Sequence, residues 1–339
     1  MSTATAHLSR LAGRRTRIAV LSAAALATAA IATPASRSAA PEEAVRTWTI
    51  HYTAHNGVDR LATVVLPASY GPGDNPPLPV VISPHGRGGT GRSNATFFAN
   101  LPAVGGFAVI SPDGMGRRLK VFSYGYAGQI DDLARMPELA ERALPWLRID
   151  RSRIYALGSS MGGQETLLLV ARHPRLLAGA AAMDSVTDLS RRYYQLPRVP
   201  CDDRCLKMWG EPFGVLLQST LAREVGGTPD EDPREYAARS ALSQAREIAV
   251  SKVPLQLWWS SDDHIVFDQA HQSRALFVRL RRLDPCAPVA AYIGHWRHSH
   301  EMRARALLPI ALSGFGLLPP NLKPLPKSVH HEIAAPCSP

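Results

Sequence analysis

Short apolar runs recur along this chain, and segments with helical spacing lie between them. Residues 47–53 (Thr-Trp-Thr-Ile-His-Tyr-Thr) alternate polar and apolar side chains, and residues 61–66 are rich in β-formers. The pair predicts an antiparallel hairpin at a sheet edge. A loop follows at 71–77 (Gly-Pro-Gly-Asp-Asn-Pro-Pro). Runs at 78–83, 107–111, 153–157, 177–183, 253–259 and 289–293 read as buried strands, being apolar at successive positions and not only at alternate ones. Residues 129–147 carry Ile130, Leu133, Leu139 and Leu144 on neighbouring turns, and 164–172 and the Arg-rich 268–282 are helix-length. Strands alternating with helices predict an α/β fold with a mainly parallel central sheet covered by helices on both faces. Residues 186–250 hold no clear strand. Helical patches such as 233–246 lie there beside Tyr193, Tyr194, Trp209 and Phe213. This pattern predicts a helical lid inserted over the carboxyl ends of the strands, where such sheets bind ligands. Extra packing that only thickens the domain is the competing reading. No internal repeat is present.

The N-terminus changes the picture. Arg10, Arg14, Arg15 and Arg17 precede an Ala-rich apolar stretch at 18–33, and small residues follow at Ala35, Ser36, Ser38, Ala39 and Ala40. That order predicts a secretory signal peptide over 1–40, too short for a comfortable membrane span, with an uncleaved anchor as the alternative. Arg14-Arg15 leaves a twin-arginine route open, although Arg17 stands where an apolar residue is usual. The remainder, 41–339, is expected to be one exported domain ending in a Pro-rich tail at about 319–339 and making no stable membrane insertion. The first forty residues hold five arginines and no acid, so the formal charge of +10 drops to +5 without them. No Lys/Arg block or aromatic-interleaved basic stripe is left, which argues against a nucleic-acid partner. Four cysteines fit export. Of three possible pairings, local closure favours Cys201–Cys205, leaving Cys286–Cys337 to tie down the tail. No histidine sits at ligand spacing beside either pair, so no metal site is expected.

The chemistry centres on Gly158-Ser159-Ser160-Met161-Gly162, between the run at 153–157 and the helix-length run at 164–172. Strand, tight Gly-flanked turn and helix together make a nucleophile elbow with Ser160 at its tip. Ser160 must adopt a strained backbone there, and Gly158 and Gly162 present no Cβ where strand and helix cross. The helix N-terminus directs amide N–H groups and the positive end of its dipole to the spot where an oxyanion would form. A serine hydroxyl needs a base, and the base needs a partner that fixes its tautomer. Asp262 and Asp263 follow the run at 253–259, and His295, His298 and His300 follow the run at 289–293. His85-Gly86-Arg87-Gly88-Gly89 is Gly-rich, but no Gly-Lys-Ser/Thr follows it, so it is not a phosphate-cradling loop.

These motifs resemble those of the α/β-hydrolase family. Ser260-Ser261-Asp262-Asp263-His264-Ile265-Val266 is similar to its Gly-x-x-Asp-x-x-Val segment, with Ser260 where Gly is usual. The alignment implies Asp263 as the triad acid, because Val266 follows it by three; Asp262 competes, and so does Asp184, since some members carry the acid one strand earlier. A Trp-x-His-Ser segment before the final helix of similar esterases singles out His298 as base, with His295 and His300 as alternatives. His85-Gly86-Arg87 resembles the oxyanion loop, which implies the Met161 amide as one donor and the Arg87 amide, or that of Gly86, as the other. Residues 117–126, with Phe122, Tyr124 and Tyr126, leave the fourth strand on the same side and either line the pocket or pack. Over roughly 46–318 the outline is similar to polyhydroxybutyrate depolymerases, feruloyl esterases and prolyl-oligopeptidase-like hydrolases. The resemblance implies a secreted serine esterase that needs no cofactor and acts on a small-molecule or polymeric ester. A prolyl-oligopeptidase-like peptidase is the alternative, disfavoured because the sequence shows no propeller-sized extra domain to screen peptides. An acyltransferase, or a non-catalytic binding protein on the same fold, is more remote.

Overall fold

A computed structural model describes residues 44–299, 307–320 and 322–333. The expected signal segment, His300 and Cys337 lie outside the described residues. Nine strands form one sheet: β1 Val45–Thr53, β2 Asp59–Pro67, β3 Leu78–Ile82, β4 Ala108–Pro112, β5 Ile149–Ser159, β6 Gly179–Met183, β7 Leu255–Ser260, β8 Val289–Gly294 and β9 His330–Ile333. Their order across the sheet is β1-β2-β4-β3-β5-β6-β7-β8-β9. The six strands from β4 to β8 in that order run parallel, β1 and β2 form the expected antiparallel edge hairpin, and β9 closes the other edge antiparallel to β8. The last strand comes from the Pro-rich tail, where no residue pattern marks a strand. Its residues 330–332 are exposed, so only backbone pairing to residues 290–293, and not an apolar pattern, creates it.

The helices are α1 Gly91–Ala95, α2 Leu101–Gly105, α3 Ala127–Ala143, α4 Met161–Arg172, α5 Leu189–Gln195, α6 Asp203–Trp209, α7 Phe213–Val225, α8 Pro233–Ala238, α9 Ala245–Ser251, α10 Ser273–Leu283 and α11 Leu308–Gly314. The parallel strands are largely apolar, with exceptions such as Gln256 in β7 and 150–153 at the start of β5, because both faces are covered. Val80, Ile82, Ile110 and Ile154 pack on one side with Ile130 and Leu133 of α3, Leu167 of α4, Ile248 of α9 and Leu276 of α10. Their strand neighbours Val81, Val109, Tyr155 and Leu157 pack on the other side with Ala95, Phe98, Leu101 and, from α11, Leu308 and Leu312. Burying each such aliphatic side chain contributes about 1.5–3 kcal/mol, so this double-sided core is what holds the strand ends in register.

Helices α5 to α9 occupy the expected insertion and form a third apolar cluster, in which Leu189, Leu196, Leu217, Leu221 and Tyr236 meet Met161, Val186 and Val266. The helical patch expected over 233–246 is two helices. Between them the Leu242 amide donates to the Thr187 carbonyl, and the Ser240 hydroxyl donates to the Tyr236 carbonyl while accepting from the Leu189 amide. Those bonds to the strand-end segment replace helical ones. The helix expected over 268–282 likewise begins late, at Ser273, because the Gln272 side chain accepts from the Thr187 and Asp188 amides. Cys201 and Cys205 form a disulfide across the start of α6. Cys286 is also disulfide-bonded, but its expected partner falls outside the described residues. Among the described residues no helix is long and apolar enough to cross a membrane.

Candidate functional site

Ser160 occupies the turn between β5 and α4 with φ 60° and ψ −123°. A non-glycine residue in that region carries strain of order 1–3 kcal/mol, so the surroundings must impose it. They do. The Ser160 amide donates to the Met183 carbonyl at 2.8 Å, and the Ser160 carbonyl accepts from the Gln164 amide at 3.0 Å. A Cβ on Gly158 would collide with the Gly162 backbone, and one on Gly162 with the Pro84 carbonyl. Both glycines are therefore required by close approach of the chain.

The structure brings Ser160, His298 and Asp263 together. His298 Nε2 lies 2.9 Å from Ser160 Oγ, and His298 Nδ1 lies 2.8 Å from Asp263 Oδ2. The other Asp263 oxygen accepts from the amides of Ile265 and Val266, each at 2.8 Å. Burial pushes the Asp263 carboxyl up, but the His298 hydrogen bond and charge and the two amides outweigh it, leaving the group below the usual carboxylate range. The acid stays ionised, and it can hold only the Nδ1–H tautomer of His298. That tautomer leaves Nε2 free to accept the Ser160 proton.

The rival residues sit elsewhere. Asp262 and His295 pair with each other at 3.2 Å, both well exposed. Asp184 has a different part. Its fully buried carboxylate accepts from the Ser260 amide at 3.1 Å through Oδ1, and from the Trp296 indole and the Ser299 amide, each at 2.9 Å, through Oδ2. Asp184 thereby pins both flanks of His298 to the end of β7. Ser299 follows His298 with φ 56°, a second strained position held by this network. The role was not legible from sequence, where Asp184 stood out only as an alternative acid.

Asp184, Asp263 and His298 lie close enough together to resemble a metal-ligand set by distance alone. Their chemistry does not fit one. Both Asp184 oxygens and both Asp263 oxygens receive N–H donors or His298, and the two ring nitrogens face Asp263 and Ser160. A cation would have to displace donors already in place.

The loop after β3 runs against the elbow, so close that a Cβ on Gly86 would meet the Ser160 Cβ at 3.7 Å. Buried His85 shapes it: Nε2 accepts from the Gly114 amide at 2.8 Å, so Nδ1 carries the proton and donates to the Gly86 carbonyl at 2.8 Å. Burial holds His85 below its ordinary pKa, so it stays neutral and keeps this arrangement. The Gly89 amide also donates to that carbonyl, at 3.0 Å. In a trans peptide the carbonyl and the following N–H point in opposite directions. Securing the Gly86 carbonyl on the loop side therefore turns the Arg87 N–H away from it. Gly86, Arg87 and Met161 all border the cavity that holds Ser160.

That cavity encloses about 320 Å³. Its apolar wall comes largely from the insertion, through Leu189, Leu196, Phe213, Leu217 and Leu221, with Val186, Ile265 and Val266 completing it. Of the aromatics expected near the site, Tyr124 and Phe213 line the cavity, Phe122 lies under the Arg87 guanidinium, and Tyr126 stacks under Arg239. Tyr194 and Trp209 are about half exposed. Arg192 of α5 also lines the cavity; no sequence signal marks it, since it differs from exposed Arg191 only in which way the helix turns it.

No protein-family model matches the chain. Solved structures do. Pyrococcus horikoshii acylaminoacyl peptidase superposes with a TM-score of 0.56 at 18% identity, covering 80% of this chain and 41% of that one. Brefeldin A esterase, a bacterial homologue of human hormone-sensitive lipase, gives 0.55 at 19% identity over 85% of this chain and 77% of that one. A thermostable esterase from Pseudomonas putida gives 0.55 at 17% over 80% of each. The chain thus spans about two fifths of the peptidase and about four fifths of the esterases. The strand order, the elbow after β5 and these likenesses establish the α/β-hydrolase fold for this chain.

Proposed function

We propose that this chain is a secreted serine hydrolase that cleaves carboxylic esters through an acyl-enzyme. The observation that carries the reading is the unbroken chain of hydrogen bonds from Asp263 through His298 to Ser160, opening on an apolar cavity. Ser160 Oγ attacks the ester carbonyl carbon as His298 Nε2 takes its proton. The carbonyl oxygen becomes an oxyanion, held by the amides of Met161 and Arg87; one such donor is worth roughly 3 kcal/mol in the barrier. Asp263 keeps the imidazolium oriented and stabilised. Collapse of the tetrahedral adduct breaks the bond to the alcohol oxygen, which takes the proton from His298 Nε2. Water then repeats the sequence on the acyl-Ser160 ester, losing its proton to His298, and releases the acid and free Ser160.

The cavity lining favours esters over amine-terminated peptides. A peptide ammonium needs an acidic partner, and no Asp or Glu lines the cavity among the described residues. The Cys201–Cys205 disulfide supports export guided by residues 1–40, because such bonds persist in oxidising compartments. The test is turnover of 4-nitrophenyl esters from acetate to octanoate beside chromogenic dipeptide anilides. Hydrolysis of the short and medium esters is expected. Cleavage of the anilides alone, or of neither series, would refute the reading.

A further inference from the structure

Charge in the cavity beside Ser160 is one-sided. Arg192 is only 4% exposed, and its Nη1 is buried without a hydrogen-bond partner. Its guanidinium stacks 5.9 Å from the centre of the Phe267 ring. The carboxylate that it senses is Asp263, but both oxygens of that group are committed to His298, Ile265 and Val266. Tyr124, whose hydroxyl is pushed up by burial, is its other polar neighbour. Arg87 adds a second cation to the lining. Its guanidinium lies 4.9 Å from the Phe122 ring centre and 5.6 Å from that of Phe213, with Nε buried and unpartnered.

A buried charge that makes no direct ion pair is costly to keep. Burial lowers the Arg192 pKa to about 10, which still leaves it charged at neutral pH. The protein therefore carries a cation whose neighbouring carboxylate, Asp263, has both oxygens committed elsewhere, at the wall of the concavity that holds Ser160. Such a group complements an anion supplied from outside. A guanidinium fork suits a carboxylate, which it binds through two parallel N–H bonds. Leu189, Leu196, Leu217 and Leu221 around it suit a hydrocarbon linker.

We propose that the cavity selects esters bearing a second, free carboxylate on a hydrocarbon linker, with Arg192 as the residue that binds it and Arg87 adding to the positive field. This rests on the serine-hydrolase reading and deepens it. The carboxylate belongs either to the acyl part or to the alcohol part, and two substrate pairs separate these cases. The first compares the 4-nitrophenyl monoesters of adipic and suberic acid with 4-nitrophenyl hexanoate and octanoate. The second compares the butanoate ester of 4-hydroxybenzoic acid with phenyl butanoate.

In one of the pairs kcat/KM for the anionic ester should exceed that of its neutral partner at least tenfold. Arg192→Met should bring that ratio to within threefold of one, and Arg192→Lys should keep an intermediate ratio. The ratio is the readout, because a purely structural role would lower both rates together. A ratio of one or less in both wild-type pairs, or a ratio unchanged in Arg192→Met, overturns the proposal. Calorimetric titration of Ser160→Ala with adipate and with 4-hydroxybenzoate supplies an arm that needs no turnover. One of the two should bind, and adding Arg192→Met should weaken it at least tenfold. Neutral esters cleaved without anion preference or anion binding would sink the carboxylate site and leave the hydrolase. Arg192-dependent anion binding without any ester cleavage would sink the hydrolase and leave the site.

Discussion

The two sides of the cavity are built on opposite rules. On the strand-end side, formed by the elbow and the loops after β3, β6, β7 and β8, the polar atoms around His298 are spent on one another, although Gln164 Oε1 on the elbow helix is buried without a partner. Asp184 takes three donors, Asp263 takes two amides and His298, and His85 uses both ring nitrogens. On the insertion side, Arg192 Nη1 has no partner, and across from it neither does Arg87 Nε. A saturated network has one arrangement, which suits a proton transfer across the 2.9 Å from Ser160 Oγ to His298 Nε2 while Asp263, 2.8 Å from Nδ1, holds the ring in place. Unspent donors on an apolar wall are what recognition requires, because a ligand gains most where the protein has not already paired its own groups. On the proposed function, reaction and selection are separable, and substitutions can test each side alone.

The largest effects belong to the saturated side. Ser160→Ala and His298→Ala should each lower kcat for a 4-nitrophenyl ester by at least about 10³-fold, with the urea midpoint little changed. Asp263→Asn should cost about 10³- to 10⁴-fold, because the amide reverses the tautomer preference of His298. Asp262→Asn, which disturbs only an exposed pair, should stay within about threefold of wild type. If these two aspartates exchanged places in such an assay, the assignment of the acid would be wrong. Asp184→Asn should come next. It leaves both bonds of His298 intact but puts an amide N–H₂ against the donors of Trp296 or Ser299, so kcat should drop about 10- to 100-fold with KM almost unchanged. Loss in KM alone would mean that Asp184 shapes the pocket and does not position His298.

A separate effect concerns stability and not turnover. Glu165 of α4 is buried against the Ser123 hydroxyl, and burial raises its pKa from 4.5 to about 8. The folded state thus keeps a proton that the unfolded chain has already lost above 4.5. Between those values stability from this group is lost as pH rises, at about 1.4 kcal/mol per pH unit. Glu165→Gln should flatten that decline, so the variant gains on wild type steadily from about pH 5 to about pH 8 in urea titrations. Parallel pH profiles of the two proteins would show that Glu165 is ionised in the fold. Acid and cation then stand in contrast again: Glu165, packed within the elbow helix, gives up its charge, whereas Arg192 at the cavity keeps its own.

What the sequence disclosed divides along the same line. The elbow is local, with strand, glycines and helix contiguous, so Ser160 stands out without any tertiary knowledge. The strands are legible from their apolar runs, and the sheet was found as expected except for β9. That strand has exposed side chains, and only pairing with β8 identifies it. Within the insertion, helix ends at 239–244 are set by bonds to Thr187 and Leu189, far away in sequence. The same holds for Arg192 and Asp184. Whether an arginine faces a cavity, or an aspartate gathers donors from two other strand ends, depends on partners that no spacing rule connects.

The central claim is that Ser160 is the nucleophile of this site. It is tested most directly by treating the protein with a fluorophosphonate and locating the adduct by intact mass and peptide mapping. A single adduct on Ser160 is expected, absent from Ser160→Ala and formed at least a hundredfold more slowly in Asp263→Asn. An adduct on Ser159 or any other residue, or ester turnover that survives without modification of Ser160, would contradict it.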